Sequence, residues 1–332
     1  MNDDSSSVVG TKRRMTMMGF VVAASVLGAM PARADETQAA PTTPVATDAK
    51  KPPPYTLPWM LRPVTAGNVV RLDTTFALSK PTNTTPILLL ASYKVKPNLA
   101  AIVRLGVIHN EPKAGLVDAA TSFVNPLVGA LYSIPVGKTL KVGLFGAVTI
   151  PVGTGGGNDP DLPKRTADLA GIYARASMDN ALFQINYMTP IVGAGIAYIN
   201  DGITLQLEAT ALELIRVRGD KVDKDTSRTN LTAGLHFGWF VTPFLSIGTE
   251  LRYQYWASHP TIEGDIAAKK AGAGPRIDNW TFGFGPRAHF KLNDKMWLRP
   301  GVQLTMGLDL PTGFSEGGSE YKIVQVDIPF IF

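Results

Sequence analysis

The chain has 332 residues, of which 45% are hydrophobic and 18% are charged, so it can bury a core and is not disordered overall. It contains no cysteine, which excludes a disulfide framework, a thiolate metal site, a cysteine nucleophile and a lipid-modified N-terminal cysteine. The formal charge of +5 includes no basic run interleaved with aromatic residues, so we expect no nucleic-acid partner.

Residues 1–34 have the pattern of a secretory signal peptide. Lys12-Arg13-Arg14 is a basic start, residues 15–30 are apolar, and Ala32-Arg33-Ala34 is a small-x-small cleavage pattern. The apolar run is shorter than the ~20 residues of a membrane-spanning helix. We therefore expect export and cleavage, with a membrane anchor as the alternative.

Residues 35–66 are rich in alanine, threonine and proline and include Lys50-Lys51-Pro52-Pro53-Pro54. This composition does not build a core and favours an extended, polyproline-like conformation. We interpret the segment as a periplasmic leader that precedes the first strand. The alternative is a plug inserted into the fold that follows.

From residue 67 to residue 332, the chain repeats segments in which alternate residues are apolar. A period of two indicates strands with one face toward an apolar medium and the other toward a polar one. Most of these segments exceed the ~9–11 residues that a tilted strand needs to cross a bilayer. The candidate strands are 67–79, 86–94, 99–109, 123–134, 139–151, 190–199, 203–218, 229–241, 244–256, 277–291, 296–309 and 321–332.

The links between these strands alternate between short and long. This alternation is typical of outer-membrane barrels, in which short turns lie on the periplasmic side and longer loops lie outside. The short links, such as Asn200-Asp201-Gly202, contain residues that tolerate the positive φ of tight hairpins. The long links are 80–85, 110–122, 152–189, 219–228, 257–276 and 310–320.

Side-chain parity within the strands supports the same fold. In the eighth candidate strand one face carries leucine, alanine, phenylalanine and tryptophan, and the other carries asparagine, threonine, glycine and histidine. Such apolar faces suit lipid, and aromatic residues near the strand ends resemble interfacial girdles. The predicted fold is therefore all-β, a transmembrane antiparallel up-and-down β-barrel of about 12 strands, with both ends of the mature chain in the periplasm.

The C-terminal segment resembles the C-terminal signature of bacterial outer-membrane β-barrel proteins. Phe332 is terminal, and the residues that precede it on the same face are Val324, Val326, Ile328 and Phe330. In that class this segment is read by the barrel-assembly machinery, so the resemblance implies the same partner here. It implies a barrel in contact with outer-membrane lipid and lipopolysaccharide. No characterised subfamily is identified across the whole chain.

The inward face is where selectivity is set in such barrels. Both charge signs occur there, with arginine in excess. Arginine–carboxylate pairs can simply neutralise one another, or the excess can favour anionic or zwitterionic solutes in a narrow pore. We favour the pore. The lumen-lining residues expected by parity are Arg71, Asp73, Arg104, Glu208, Arg216, Glu250, Arg252, Arg287, His289 and Arg299, together with Lys94 and Asp327.

The longest link, 152–189, predicts a helix near residues 166–183, because apolar residues recur there at helical spacing. This helix would either constrict or cap the mouth of the barrel, or pack on its rim. Residues 155–161 are rich in oxygen ligands but lack a calcium-loop spacing, so we expect no metal.

We expect no catalytic residues and no cofactor. Ser258 and His259 are adjacent in one loop, which does not make a catalytic pair, and the acids of the external links are expected to be solubilising charges. A lipid-modifying enzyme is therefore the least favoured function. The two main hypotheses are a narrow porin-like channel or transporter for small polar solutes, and a closed structural barrel whose external loops bind a ligand.

Overall fold

The computed structural model is built almost entirely of β-strands, and it describes residues 55–79, 82–113, 117–258, 278–309, 313–314 and 321–332. Twelve of the strands in these ranges are long, one for each candidate strand of the sequence. They are β1 (Val69–Ser79), β2 (Thr82–Lys96), β3 (Leu99–Pro112), β5 (Leu127–Val136), β6 (Leu140–Thr149), β7 (Tyr187–Asn200), β8 (Ile203–Arg216), β9 (Ser227–Thr242), β10 (Leu245–Trp256), β11 (Asp278–Ala288), β14 (Gly301–Asp309) and β16 (Tyr321–Ile331).

Four shorter strands and two helices accompany them in the described ranges. Asp161 caps the first helix, since its carboxylate accepts a hydrogen bond from the Lys164 N–H at 3.2 Å, and Pro163 lies in the first turn. Neither helix has the length and apolar composition needed to cross a membrane. The elements are β4 (Ala120–Phe123), β12 (Phe290–Lys291), β13 (Trp297–Leu298), β15 (Gly313–Phe314), α1 (Leu162–Ala174) and α2 (Asn180–Phe183).

The twelve long strands close on themselves. Each pairs antiparallel with its neighbour along the chain, and β16 pairs with β1 from Val69–Ile331 to Ser79–Tyr321. Closure leaves no free sheet edge, which satisfies backbone groups that lipid cannot satisfy. The predicted twelve-stranded antiparallel barrel is therefore confirmed.

The outer surface carries the apolar members of each alternating pattern. Exposed outward residues include Leu72, Leu105, Leu207 and Phe237. Aromatic side chains lie outward near both ends of the strands: Tyr132 and Trp239 lie by short turns, and Tyr253 and Trp280 lie at the other end, with ring centroids 4.5 Å apart and ring planes tilted by 37°. This is the surface that a lipid bilayer requires.

The two ends of the barrel differ in their connections. Links of two or three residues join β2 to β3, β5 to β6, β7 to β8 and β9 to β10, and we name this side the turn end. Val69, the first residue of β1, and Ile331, the last of β16, lie there. The opposite side, the loop end, carries residues 150–186 and 217–226.

One predicted long link is shorter than expected. The sequence predicts a loop over residues 80–85, but β2 already begins at Thr82. Thr84 points into the barrel and donates a hydrogen bond to the Asn110 amide oxygen at 2.8 Å. The polar composition that suggested a loop therefore belongs to an inward face, and β-branched threonine suits a strand.

The predicted helix of residues 166–183 is two helices, α1 and α2. Ala176 and Ser177 between them adopt positive φ values of 53° and 59°, which ends helical geometry. The Ser177 N–H donates to the Ile172 carbonyl at 2.9 Å and satisfies the end of α1. No glycine marks this break, so a residue pattern could not locate it. Residues 1–34, the predicted signal peptide, lie outside the described residues.

Candidate functional site: the barrel lumen

The inner face of the barrel wall is polar. Threonine, glutamine and charged residues alternate with the lipid-facing residues on most strands. Several of their buried polar atoms have no hydrogen-bond partner among the described residues, which is uncommon for a dry protein interior. These atoms include Thr75 Oγ1, Thr232 Oγ1, Thr281 Oγ1, Gln303 Nε2 and Gln325 Oε1.

Residues 55–66, which we name the leader segment, lie inside the barrel. The chain enters at the turn end, where the Tyr55 carbonyl accepts from Arg299, and it returns to that end to begin β1. Its tip, Met60 and Leu61, is no more than 2% exposed. For residues 55–66 the prediction of a periplasmic leader is wrong, and the plug alternative describes them. Residues 35–54 lie outside the described residues.

Glu250 on β10 anchors the tip of the leader segment. This residue is 0% exposed, and its carboxylate accepts hydrogen bonds from the Trp59 N–H at 2.5 Å and the Met60 N–H at 3.1 Å. Arg252 neutralises it through Nε at 2.7 Å, and His236 Nδ1 lies 3.6 Å away. Glu250 therefore holds a turn of the inserted backbone by charge-assisted hydrogen bonds, and Arg252 balances its charge.

Trp59 fills the lumen next to β14. The Arg287 guanidinium stacks over its indole ring, 4.1 Å from the ring centroid. A side chain on Gly301 would place its Cβ 2.5 Å from the indole, so only glycine allows the strand to approach this closely. Gly301 on the inner wall thus leaves room for the Trp59 side chain of the inserted segment.

The returning arm of the leader segment is held by β8. Arg62 donates to Glu208 both from Nη1, at 2.7 Å, and from its backbone N–H, at 2.5 Å. Its guanidinium also lies over the Phe145 ring at 4.5 Å. Gln206 donates to the Arg62 carbonyl at 2.6 Å and accepts from the Tyr55 hydroxyl at 2.7 Å. Both arms are therefore fixed to the same strand.

A second segment, residues 162–183, fills the lumen from the loop end, and we name it the helical loop. Asp179 accepts from Arg104 of β3 at 2.6 Å and from Arg175 at 3.0 Å. Arg175 also lies 2.9 Å from Asp73 of β1. Of the two sequence alternatives, insertion into the mouth and packing on the rim, the contacts with inward residues support insertion.

The two inserted segments meet inside the barrel. Met60 and Leu61 of the leader segment pack in one buried cluster with Ala174, Ala176 and Met178 of the helical loop. The lumen is therefore closed along the line where these segments touch.

The charged groups of the lumen are nearly but not fully balanced. Leaving aside the charged groups of α1 at the loop end, we count among the described residues seven arginines and five carboxylates, so the formal excess is two positive charges. The arginines are Arg62, Arg71, Arg104, Arg175, Arg252, Arg287 and Arg299, and the carboxylates are Asp73, Asp179, Glu208, Glu250 and Asp327.

The structure locates each residue that parity assigned to the lumen. Arg71, Asp73, Arg104, Glu208, Glu250, Arg252, Arg287, His289 and Asp327 are buried on the inner face. Arg299 is half-buried at the turn end. Arg216 lies at the loop end, where Nη1 donates to the carbonyls of Asp223 and Lys224. Lys94 shares the inward parity of Leu90 and Ser92 on β2, but it is exposed because it lies beside the turn between β2 and β3.

Strand parity missed the partners that these residues use. Arg62, Arg175 and Asp179 belong to inserted segments, whose direction no alternation pattern gives. The C-terminal residues Val324, Val326, Ile328, Phe330 and Phe332 alternate with inward residues along β16 and its end, as predicted. Their part in barrel assembly remains a prediction.

A serine–histidine contact inside the barrel lacks the features of a nucleophile and its base. Ser246 Oγ lies 2.8 Å from His289 Nε2, and both residues are 3% exposed. No described residue forms a hydrogen bond with His289 Nδ1, whereas a catalytic triad places a carboxylate there. Exposed His109 contacts Thr121, and His259 lies outside the described residues. No group of acids and histidines in the described ranges could hold a metal ion.

A cavity of about 240 Å³ remains between the leader segment and the wall formed by β1, β2 and β3. Arg71, Leu90 and Arg104 lie directly opposite one another in one row across these strands. Val69, Ser92 and Ile102 form the next row toward the turn end. The cavity is thus bounded by a charged row and a mainly apolar one.

Asp168 on α1 is a buried carboxyl at the loop end. It is 1% exposed, faces Ser122 of β4, and has Arg165 and Arg218 nearby. Burial raises the pKa of Asp168 to about 8, although both arginines and Ser122 act to lower it. The helical loop therefore contains a group that changes charge near neutral pH.

We expect the substitution Asp168→Asn to stabilise the protein more at pH 8.5 than at pH 5. A pKa raised above its unfolded value means that the native state loses stability as the pH rises from about 4 to about 8, and asparagine stays neutral throughout. The gain should be on the order of 2 kcal/mol, below the full value of the shift because the helix can open toward water. Urea unfolding at both pH values measures it.

The matched control is Asp159→Asn, which changes an exposed aspartate of the same link. Its effect on the free energy of unfolding should be small and the same at both pH values. An Asp168→Asn effect that does not vary with pH would contradict the assignment.

No protein-family model and no curated protein matches the chain. Among solved structures, it is similar to a NanC porin at 8% identity and a TM-score of 0.46, over 79% of this chain and 98% of that one. The KdgM porin in complex with disordered oligogalacturonate has 10% identity and a TM-score of 0.44, over 79% and 99%. An anion-selective porin from Comamonas acidovorans has 9% identity and a TM-score of 0.34, over 80% and 98%. These similarities do not assign the chain to a family.

Proposed function

We propose that the protein is an outer-membrane channel for small polar solutes, with a preference for anions, that the leader segment and the helical loop close. The observation that carries this proposal is the polar inner wall with unpartnered hydroxyl and amide groups. A barrel filled permanently by protein would be expected to line its core with apolar side chains, because each unpartnered buried polar group costs about 1–3 kcal/mol. If the inserted segments leave the lumen, water reaches the polar groups of the wall and forms the missing hydrogen bonds, so this cost disappears.

The charge of the lumen supports the preference for anions. Its formal excess is two positive charges, and Arg299 has no carboxylate within ion-pair distance among the described residues. Arginine also suits carboxylate recognition because its planar donors can bind both oxygens.

The way in which the leader segment is held supports reversible closure. Its anchors are hydrogen bonds and ion pairs to Glu250, Glu208 and Gln206, groups that water can also satisfy. The segment is a hairpin that enters and leaves through the turn end. It can therefore withdraw without breaking any strand pairing of the barrel.

We further propose that the turn end faces the periplasm and that β16 is read by the barrel-assembly machinery. The short turns, the outward apolar residues of β16 and the predicted signal peptide support this orientation. The loop end would then contact lipopolysaccharide. We assign no catalytic function to the protein.

The experiment is planar-bilayer conductance of refolded protein that starts at Asp35, together with a disulfide lock on the leader segment. The Cβ built on Gly234 would lie 3.1 Å from Leu61 Cγ, which suits a disulfide between these positions. Since the chain contains no cysteine, the Leu61→Cys/Gly234→Cys variant has one thiol pair. Oxidation should lower the conductance about tenfold or more by holding the segment in place, and reduction should restore it.

The single variants Leu61→Cys and Gly234→Cys serve as controls and should conduct equally under both redox conditions. Wild-type protein should give discrete steps, with a reversal potential on the anion-selective side in a salt gradient. Insertion without steps, before and after reduction of the lock, would contradict the channel.

The alternative function is a closed structural barrel whose external loops bind a ligand. The buried cluster in which the leader segment meets the helical loop favours it, because that contact seals the lumen with apolar side chains. The absence of conductance, with the leader segment cross-linked quantitatively in the lock variant, would support this alternative.

A further inference from the structure

The cavity beside the leader segment combines charged and apolar surface in one space. Four arginines line it, and most of the remaining lining is apolar, including Leu90, Ile102 and Phe145. At about 240 Å³ it exceeds the ~150 Å³ of a cavity that holds benzene. At protein packing density it has room for a molecule of roughly ten non-hydrogen atoms.

The formal charges of these arginines do not cancel. Arg62 pairs with Glu208 at 2.7 Å, Arg71 with Asp327 at 2.5 Å and Arg104 with Asp179 at 2.6 Å. Among the described residues, the fourth, Arg299, donates only to the Tyr55 carbonyl, and its guanidinium lies 5.6 Å from the Trp297 ring centroid, so its charge has no carboxylate partner there. Asp327 is shared with Arg287 at 2.5 Å and Asp179 with Arg175 at 3.0 Å, so the lining and its partners keep a net positive charge, which suits a bound anion.

Donors for that charge are already in place. The Nε atoms of Arg62 and Arg299 are buried without a hydrogen-bond partner among the described residues, and Arg62 is only 7% exposed. Arg104 uses one of its five N–H donors, on Asp179. A buried donor without a partner is costly. The donors of Arg104 and Arg299 that Asp179 and Tyr55 leave free can bind a carboxylate.

We propose that this cavity is a binding site for a small monocarboxylic acid with an apolar body. The carboxylate lies toward Arg299, and the apolar body packs against Leu90, Ile102 and Phe145. Phosphate has no apolar body to cover this surface. A small hydrophilic anion such as acetate leaves the apolar surface uncovered. This site deepens the proposed function, on which it rests, by naming the class of solute that the channel admits.

The test is isothermal titration of refolded wild-type protein in detergent with phenylacetate. Phenylacetate should bind with one-to-one stoichiometry. Phenylacetamide, which lacks the charge, and acetate, which lacks the apolar body, should each bind about tenfold more weakly or worse. Equal binding of phenylacetate and phenylacetamide would overturn the proposal, as would the absence of phenylacetate binding.

Two kinds of variant locate the site. Arg299→Gln should weaken phenylacetate binding about tenfold or more, because it removes the uncompensated charge. Ile102→Phe should abolish binding because the larger side chain fills the cavity. If Ile102→Phe does not fold, Val69→Phe tests the same effect from another position of the lining. The matched control Lys291→Gln changes an exposed cation at the turn end and should leave the affinity unchanged. Full affinity in both Arg299→Gln and a folded cavity-filling variant would overturn the proposal.

Binding and conduction are separate measurements. If phenylacetate binds to a barrel that gives no conductance, the binding site is supported and the channel function is refuted. If the barrel conducts but does not bind phenylacetate, the channel function is supported and the binding site is refuted.

Discussion

Replacing Glu250 with alanine is expected to release the leader segment from the lumen. The carboxylate binds the backbone N–H groups of Trp59 and Met60 and neutralises Arg252, and all of these groups are buried. Alanine leaves the buried Arg252 without a counter-charge and two buried N–H groups without an acceptor, although Arg252 still donates to Gln303 at 2.6 Å. The loss of one member of a buried ion pair costs about 3–5 kcal/mol. This is enough to release a short hairpin from the lumen while the strand pairing of the barrel stays intact.

The release is measured by limited proteolysis of the leader segment and by conductance. Glu250→Ala should make residues 55–66 accessible to chymotrypsin, which cleaves after aromatic residues such as Trp59, and should raise conductance. Glu111→Ala, which removes an exposed glutamate from β3, should leave both unchanged. A leader segment that stays protected in a folded Glu250→Ala barrel would refute its anchoring by this residue.

Replacing Asp179 with alanine is expected to release the helical loop at the opposite end. Asp179 lies between Arg104 of the wall and Arg175 of its own segment, and it is 4% exposed. Without it, two buried arginines face each other with only Asp73 to neutralise Arg175. The cost is again about 3–5 kcal/mol, because an uncompensated buried charge remains.

Hydrogen–deuterium exchange of residues 162–183 measures this release, and faster exchange should be confined to the helical loop. Asp118→Ala changes an exposed aspartate and should have no effect. The double variant Asp179→Asn/Arg104→Gln should recover part of the protection, since it removes one of the stranded charges. If Asp179→Ala exchanges like wild type, the ion pairs do not hold the loop.

The barrel could be predicted from the sequence because each of its strands carries its own signal. The alternation of apolar residues along β9 or β11 indicates which residues face lipid and which face the lumen. The local sequence of the strand is sufficient, and contacts with residues far along the chain need not be known. The lumen positions of Arg71, Glu208, Glu250 and Arg287 follow from the same parity. The prediction was wrong where a polar stretch was interpreted as a loop. Thr84 is an example, because it is a polar residue of β2 that points into the barrel.

The filling of the lumen could not be predicted in the same way. The leader segment has no period, and its partners Glu208 and Glu250 are separated from it by 146 and 190 residues. Proline-rich composition indicates an extended chain but not where that chain lies. Only the apolar residues Trp59, Met60 and Leu61 indicated burial, and they do not show what they pack against.

The position of Arg71 has a consequence for how the barrel folds. This side chain pairs with Asp327 across the junction of the first and last described strands, and it donates to the carbonyls of Pro58 and Trp59 in the leader segment. Arg71 and Asp327 are 256 residues apart in the sequence, and we expect so long-range a contact to form late in folding. Docking of the leader segment and joining of the barrel seam should therefore occur as one late kinetic step.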